Sequence, residues 1–339
     1  MIEKIDKTRL AHARKTCDFM ISRVWDDGRF HPIEGQWPES SDYQGECAGT
    51  LALAGHILND NKYVAASRKM FKRFLNERVE GLWSVDFWHD FPVKEELAAE
   101  AYELNRIPES RYTPAILMSL GIYHQVSGDN SVVEPSREAM NLMFERWDFQ
   151  TGDWLHLTRE YVALAIAAWE HALPEFADRK QPHIDWVIDT FVDHAPEEFP
   201  FVTAARTMTL IATTGTQHLE SVIRPGIDAL LAEPKRRFRE RPNDFRHTPA
   251  HSYATSGDHV DTRGNTAVAI MMKAHDVAAQ RQFYTNTDLY AHLSGWIDCM
   301  MIPNGGWYEM DDLETGRKYG QGSPGHLIPM WWIFGGLTP

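Results

Sequence analysis

Ionisable side chains gather in the stretch from Gly257 to Asn265, where Asp258, His259, Asp261 and Arg263 precede an apolar segment that runs on to Ala274. Two carboxyl groups in unlike environments are pushed apart in pKa, so that one donates a proton and the other accepts it. His259 lies beside Asp258 and Asp261. Asp42 and Glu46 form a second carboxylate pair, four residues apart and so on one face of a helix. For a glycosidic bond such a pairing is the usual requirement, and the separation of the carboxyls decides retention or inversion. For a lyase or an epimerase, a His or Tyr abstracting a proton beside a carboxylate replaces it, with Arg263 or Arg111 neutralising an acidic substrate.

A metal is the other use for His247, His251, Asp258, His259 and Asp261. Their spacings match no zinc signature, so no metal is expected; the general acid/base chemistry expected here also calls for no organic cofactor.

These residues need elements to aim them. Helical spacing of apolar residues covers 9–24, and an apolar helix spans about 42–58 with Cys47, Ala48, Leu51 and Leu53. A helix apolar on every side is packed on every side. The segment 62–79 is instead one-sided, with Tyr63, Met70, Phe71 and Phe74 opposed to Lys, Arg and Glu. The alternation recurs: apolar helices begin near 42, 111, 156, 201, 263 and 324, and more polar ones near 8, 62, 132, 183, 217 and 286. The unit is a helical hairpin of about 50 residues, repeated six times. Gly followed by an aromatic marks the exit from four of the polar helices, at Gly28, Gly81, Gly152 and Gly306. Strand alternation is absent at any useful length. The fold class expected is all-α, a single domain over 1–339 in which six hairpins close into an (α/α)6 toroid, with an open solenoid as the competing arrangement.

In such a ring the loops leading into the inner helices gather at one mouth, where helix N-termini offer unpaired N–H groups and positive dipole ends. Asp42, Tyr43 and Glu46 stand at the first start, Arg111 and Tyr112 at the second, and His156, Arg159 and Glu160 at the third. Thr203 and Arg206 stand at the fourth, residues 258–265 at the fifth, and Tyr319, Gln321, Ser323 and His326 at the sixth. Asp, Ser and Thr are also ordinary helix caps, and the arginines can equally tie carboxylates between neighbouring helices. Trp88 and His89 lie in an aromatic connection without periodicity, which suits either a lip over a sugar or an isoprenoid or packing into the core. Trp83, Trp154 and Trp307 recur with the turns and read as packing.

Composition narrows the partners. A formal charge of −14 disfavours nucleic acid and anionic membranes, since phosphate binding needs a basic face. The most apolar stretch, 327–337, is too short to span a bilayer, and the N-terminus lacks the apolar core of a signal peptide. A cytoplasmic protein acting on a small molecule or an oligosaccharide is expected. Cys17, Cys47 and Cys299 are odd in number and far apart, which fits reduced thiols.

The hairpin turns 59–63 (Asn-Asp-Asn-Lys-Tyr) and 128–132 (Gly-Asp-Asn-Ser-Val) resemble those of the six-hairpin glycosidase-like superfamily of α/α toroids. More locally, Arg263-Gly264-Asn265 followed by Gly306-Trp307-Tyr308 is similar to the closing segment of unsaturated glucuronyl and rhamnogalacturonyl hydrolases, although Thr266 stands where those enzymes tend to have Gly-Trp. That resemblance implies a saccharide substrate carrying a uronic acid. Asp42 and Asp261 are then the expected acid and base, with Glu46, Asp258 and His259 in reserve. Tyr43, Trp88, His89, Arg111, Tyr112, His156, Arg263, Asn265, Tyr308 and His326 are expected to contact substrate. Asp258-His259-Val260-Asp261 before an apolar helix also resembles the toroids of terpenoid cyclases and protein prenyltransferases, which implies proton-initiated chemistry on an isoprenoid. Arg263 disfavours that reading, because a cation there opposes a developing carbocation.

Overall fold

The structure is a computed structural model that describes residues 7–30, 41–78, 80–83, 112–147, 149, 158–191, 199–225, 262–264, 298–308, 310–312, 318–319, 330 and 333–334. For 41–42, 199–204 and the strand residues it describes the backbone alone. The chain divides into two compact units, one of Met1–Thr16 with Ile184–Gly336, the other of Cys17–His183 with Leu337–Pro339.

Among its described residues the second unit carries two helical hairpins and a further apolar helix. Helices α2 (Ser41–Ile57), α4 (Tyr112–Ser127) and α6 (Thr158–Trp169) are the apolar ones, and α4 lies between the other two. Eleven consecutive residues of α4, from Thr113 to Tyr123, are buried, so this helix has no solvent face. Their partners α3 (Asn61–Asn76) and α5 (Val133–Arg146) are one-sided. In α3 the buried set is Tyr63, Ala66, Ser67, Met70, Phe71, Arg73 and Phe74, the spacing of a single helical stripe. Each fully buried Leu, Ile or Phe here contributes about 1.5–3 kcal/mol of transfer free energy.

Small residues set how closely the apolar helices approach. A Cβ on Gly45 would stand 2.9 Å from Ile116 Cγ1, one on Gly49 3.0 Å from Ser119 Cβ, and one on Gly121 2.7 Å from Ala168 Cβ. Two hairpin turns share one device, in which a residue with left-handed backbone precedes a capping aspartate. Asn59 (φ 50) leads to Asp60, which accepts from Lys62 N at 3.2 Å. Gly128 (φ 66) leads to Asp129, which accepts from Ser131 N at 3.0 Å.

In the first unit, α8 (Phe199–Thr214) follows the end of α7 (Gln181–Asp189), and the polar helix expected over 217–231 begins instead as a π-helical turn, Leu219–Ile223. Three short strands, β1 (Thr262–Gly264), β2 (Met310–Asp312) and β3 (Lys318–Tyr319), form an antiparallel ladder in the order β1-β2-β3. The sequence reading starts a helix at Arg263. In the structure that residue is extended and pairs with Asp311. Runs of two and three residues are too short to show alternation, so periodicity has nothing to detect.

The Gly-aromatic turns are a repeated joint. The Cβ that Gly28 (φ 91) lacks would meet Lys69 O of α3 at 2.5 Å, and that of Gly81 (φ 83) would meet Leu142 Cδ1 of α5 at 2.4 Å. In the first unit the Cβ missing from Gly305 (φ 97) would meet Lys15 O of α1 (Lys7–Ser22) at 2.3 Å. Each turn therefore seats its glycine against another helix, and at Gly28 and Gly305, which face main-chain carbonyls, only hydrogen fits. Trp83 and Trp307 are buried beside these glycines, which agrees with their reading as packing.

Candidate active site

The starts of α2 and α6 meet. Tyr161 Oη donates to Glu46 Oε1 across 115 residues of sequence, and both side chains are buried. Glu160, one residue earlier, is 1% exposed, and Arg159 beside it donates from Nη2 to the carbonyl oxygen of Phe149. Burial lowers the pKa of the Arg159 guanidinium, an effect that the charge of Glu160 opposes. The second turn of α2 and the first turn of α6 thus hold two carboxylates, a phenol and a guanidinium.

Packing accounts for the arrangement. Gly45 and Gly49 bring α2 against α4, and Gly121 brings α4 against α6. Gln44, in the same turn as Glu46, accepts from Arg73 Nη1 at 2.7 Å and from Phe30 N at 3.4 Å. Arg73 also pairs with Glu77 at 2.8 Å. The turn that carries Glu46 is therefore tied to α3 and to the turn that follows α1.

Behind Arg159 lies His183, 3% exposed, with the Phe149 ring edge-on at 4.6 Å and the Phe144 ring at 6.4 Å. Its Nδ1 is buried without a hydrogen-bond partner among the described residues. Burial, and then the positive charge of Arg159, lower the pKa of this imidazole to about 3. It is a neutral group at physiological pH.

The residues anticipated from sequence are distributed as follows. Glu46 is in the cluster, Asp42 opens α2 one turn earlier with its backbone alone described, and Tyr43 is half-buried between them. Tyr112 is half-buried as the first residue of α4. In the first unit Arg263 lies in β1 at the register position opposite Asp311, and half-buried Tyr308 precedes β2, its N–H donating to Met300 O at 2.9 Å. The ladder thus brings the Arg263 and Gly306-Trp307-Tyr308 segments together. Arg206 is buried, donates to Thr190 O and stacks 5.0 Å over Trp186, a tie between helices. Asp258, His259, Asp261, Asn265, Trp88, His89, Arg111, His156 and His326 lie outside the described residues, as do the histidines and aspartates weighed as metal ligands. Among the described residues no group of three or more His, Cys, Asp or Glu side chains stands ready to hold a metal.

Tyr161 is the member that sequence reasoning missed. It sits in the first turn of an apolar helix directly after Glu160, and a phenol in an otherwise aliphatic run was the available signal.

No family model matches the chain, and no curated protein matches it in sequence. A solved structure does: cellobiose 2-epimerase from Spirochaeta thermophila DSM 6192 superimposes with a TM-score of 0.66 over 95% of this chain and 94% of that one, at 15% identity. The chain shares that enzyme's fold. Its class is all-α, the (α/α)6 toroid, here with the short β1-β2-β3 ladder added. The likeness bears on the toroid and does not reach the uronyl hydrolases. No helix among the described residues is long and apolar enough to cross a membrane.

Proposed function

We propose that this chain is a single-domain, carbohydrate-active toroid that moves protons on a saccharide, an epimerase-type enzyme working by general acid/base catalysis. The observation that carries the proposal is the Tyr161–Glu46 hydrogen bond, which joins the N-terminal parts of two apolar helices in a fold shared with a sugar epimerase. A phenol bonded to a carboxylate is a ready proton relay, and the hydrogen on a carbon beside a carbonyl is acidic enough for such a group to remove. Returning the proton to the opposite face inverts that carbon and breaks no glycosidic bond. Asp42 and Asp261 keep their proposed roles as the acid and base nearest substrate, with Glu46, Asp258 and His259 supporting them. Tyr43, Arg111, Tyr112, Arg263 and Tyr308 would orient the sugar.

The fold match favours this reading over proton-initiated cyclisation of an isoprenoid. Incubation with reducing mono- and disaccharides in deuterated water tests it. The expected result is deuterium at the carbon beside the carbonyl, an epimeric product and an intact glycosidic bond. Cleavage of the disaccharide without exchange would replace epimerisation with hydrolysis, and inertness towards every sugar would overturn the carbohydrate reading.

A further inference from the structure

Trp25 is the exposed large hydrophobic side chain among the described residues, 49% accessible. Single exposed apolar residues are common, so exposure by itself decides nothing. What distinguishes this one is a rigid setting with fixed polar neighbours.

Trp25 lies in a short hairpin closed by the bridge Val24↔Phe30, with Trp25 N donating to Arg29 O at 2.8 Å and Gly28 N to Trp25 O at 3.0 Å. Gly28 is seated on the carbonyl of Lys69, Lys69 Nζ pairs with Asp26 at 3.2 Å, and Phe30 is buried. Asp27 then locks Arg29. Its carboxylate accepts from Arg29 N at 3.0 Å and from Arg29 Nε at 2.7 Å, and Nη2 lies 2.7 Å from the same group. The guanidinium so held stands 5.3 Å from the indole centroid. That Arg29 hydrogen bond, more than any other influence, keeps Asp27 ionised to lower pH than an ordinary aspartate.

The guanidinium covers one face of the indole, and the half of the side chain that stays accessible, beside a guanidinium held by a carboxylate, matches a pyranose ring, which presents C–H groups on one face and hydroxyl pairs at its edge. The hairpin is also anchored beside the candidate site, because Phe30 N donates to Gln44 Oε1, two residues before Glu46 on α2. We infer that Trp25, Asp27 and Arg29 form a saccharide subsite holding a sugar ring other than the one that reacts, so that the substrate class is an oligosaccharide of at least two rings. The inference rests on the sugar reading above.

Two probes separate the subsite from the reaction. Methyl β-cellobioside has two rings and methyl β-glucoside one, and neither has a free carbonyl end, so neither can be epimerised. Affinities are measured by saturation-transfer NMR titration on the full chain. The expected result is at least tenfold tighter binding of the two-ring glycoside by the wild type, loss of that preference in Trp25→Ala, and its recovery in Trp25→Phe. Circular dichroism and thermal unfolding of Trp25→Ala should match the wild type, since the side chain is half exposed. Equal affinities in the wild type and Trp25→Ala, or binding of neither glycoside by the wild type, overturn the subsite. A Trp25→Ala protein that changes only in self-association makes the residue a protein contact and overturns it as well. Loss of the preference in a protein that exchanges no sugar proton upholds the subsite and overturns the reaction.

Discussion

Trp307 Nε1 donates to Thr16 Oγ1 at 2.9 Å, linking residues 291 positions apart, and both side chains are buried. The Gly305-Gly306-Trp307 turn is thereby fastened to α1. Thr16→Val keeps the shape and deletes the acceptor, leaving a buried indole N–H without this partner. A cost of about 1–3 kcal/mol is expected. Urea unfolding measures it, and turnover per folded molecule should not change.

Gly305 supplies a sharper test of the same joint. Its φ of 97° is left-handed, and an added Cβ would lie 2.3 Å from Lys15 O, so Gly305→Ala carries both backbone strain and a clash with main chain. Gly128 has a φ of 66° and nothing within 4 Å of the missing Cβ. Gly128→Ala should therefore cost only the left-handed penalty, about 1–2 kcal/mol, and Gly305→Ala clearly more. Equal denaturation midpoints for the two variants would show that the turn does not need its close seat on α1.

Glu46→Gln preserves the size of the side chain and an acceptor for Tyr161 while removing the negative charge. If Glu46 takes part in proton transfer, exchange in deuterated water falls by about 10²–10⁴-fold and the melting temperature stays within a few degrees. Tyr161→Phe should lower exchange too. A Glu46→Gln enzyme with full activity would reduce the pair to a tie between helices.

His183 makes stability depend on pH. Its imidazole has a pKa of about 3 in the folded chain and about 6.5 when unfolded, so between these values the unfolded state binds a proton that the native state refuses. The histidine's contribution is intact above pH 6.5 and is lost as pH falls towards 3. At pH 5 the loss is about 2 kcal/mol. His183→Phe, suited to a box already lined by Phe144 and Phe149, should flatten that part of the profile. Denaturant titrations of both proteins at pH 7.5 and pH 5 decide it, and parallel losses would move the acid sensitivity to other groups.

How much of this was legible in the chain follows from the range of each interaction. Apolar residues all round 112–123, against a single stripe on α3, separate buried from one-sided helices because burial acts on every turn and leaves its period in the sequence. The turns at Asn59-Asp60 and Gly128-Asp129 are legible for the same reason, since a left-handed residue and a cap act over a few positions. The Tyr161–Glu46 contact, the seat of Gly305 on Lys15 and the pairing of Arg263 with Asp311 span 115, 290 and 48 residues, and no local pattern encodes them. Sequence determined which helices bury which faces, because that depends on side-chain type and period alone. Tertiary structure decided which helix starts meet, because glycine-sized gaps set the approach of α2, α4 and α6, and only that approach brings a phenol on one helix to a carboxylate on another.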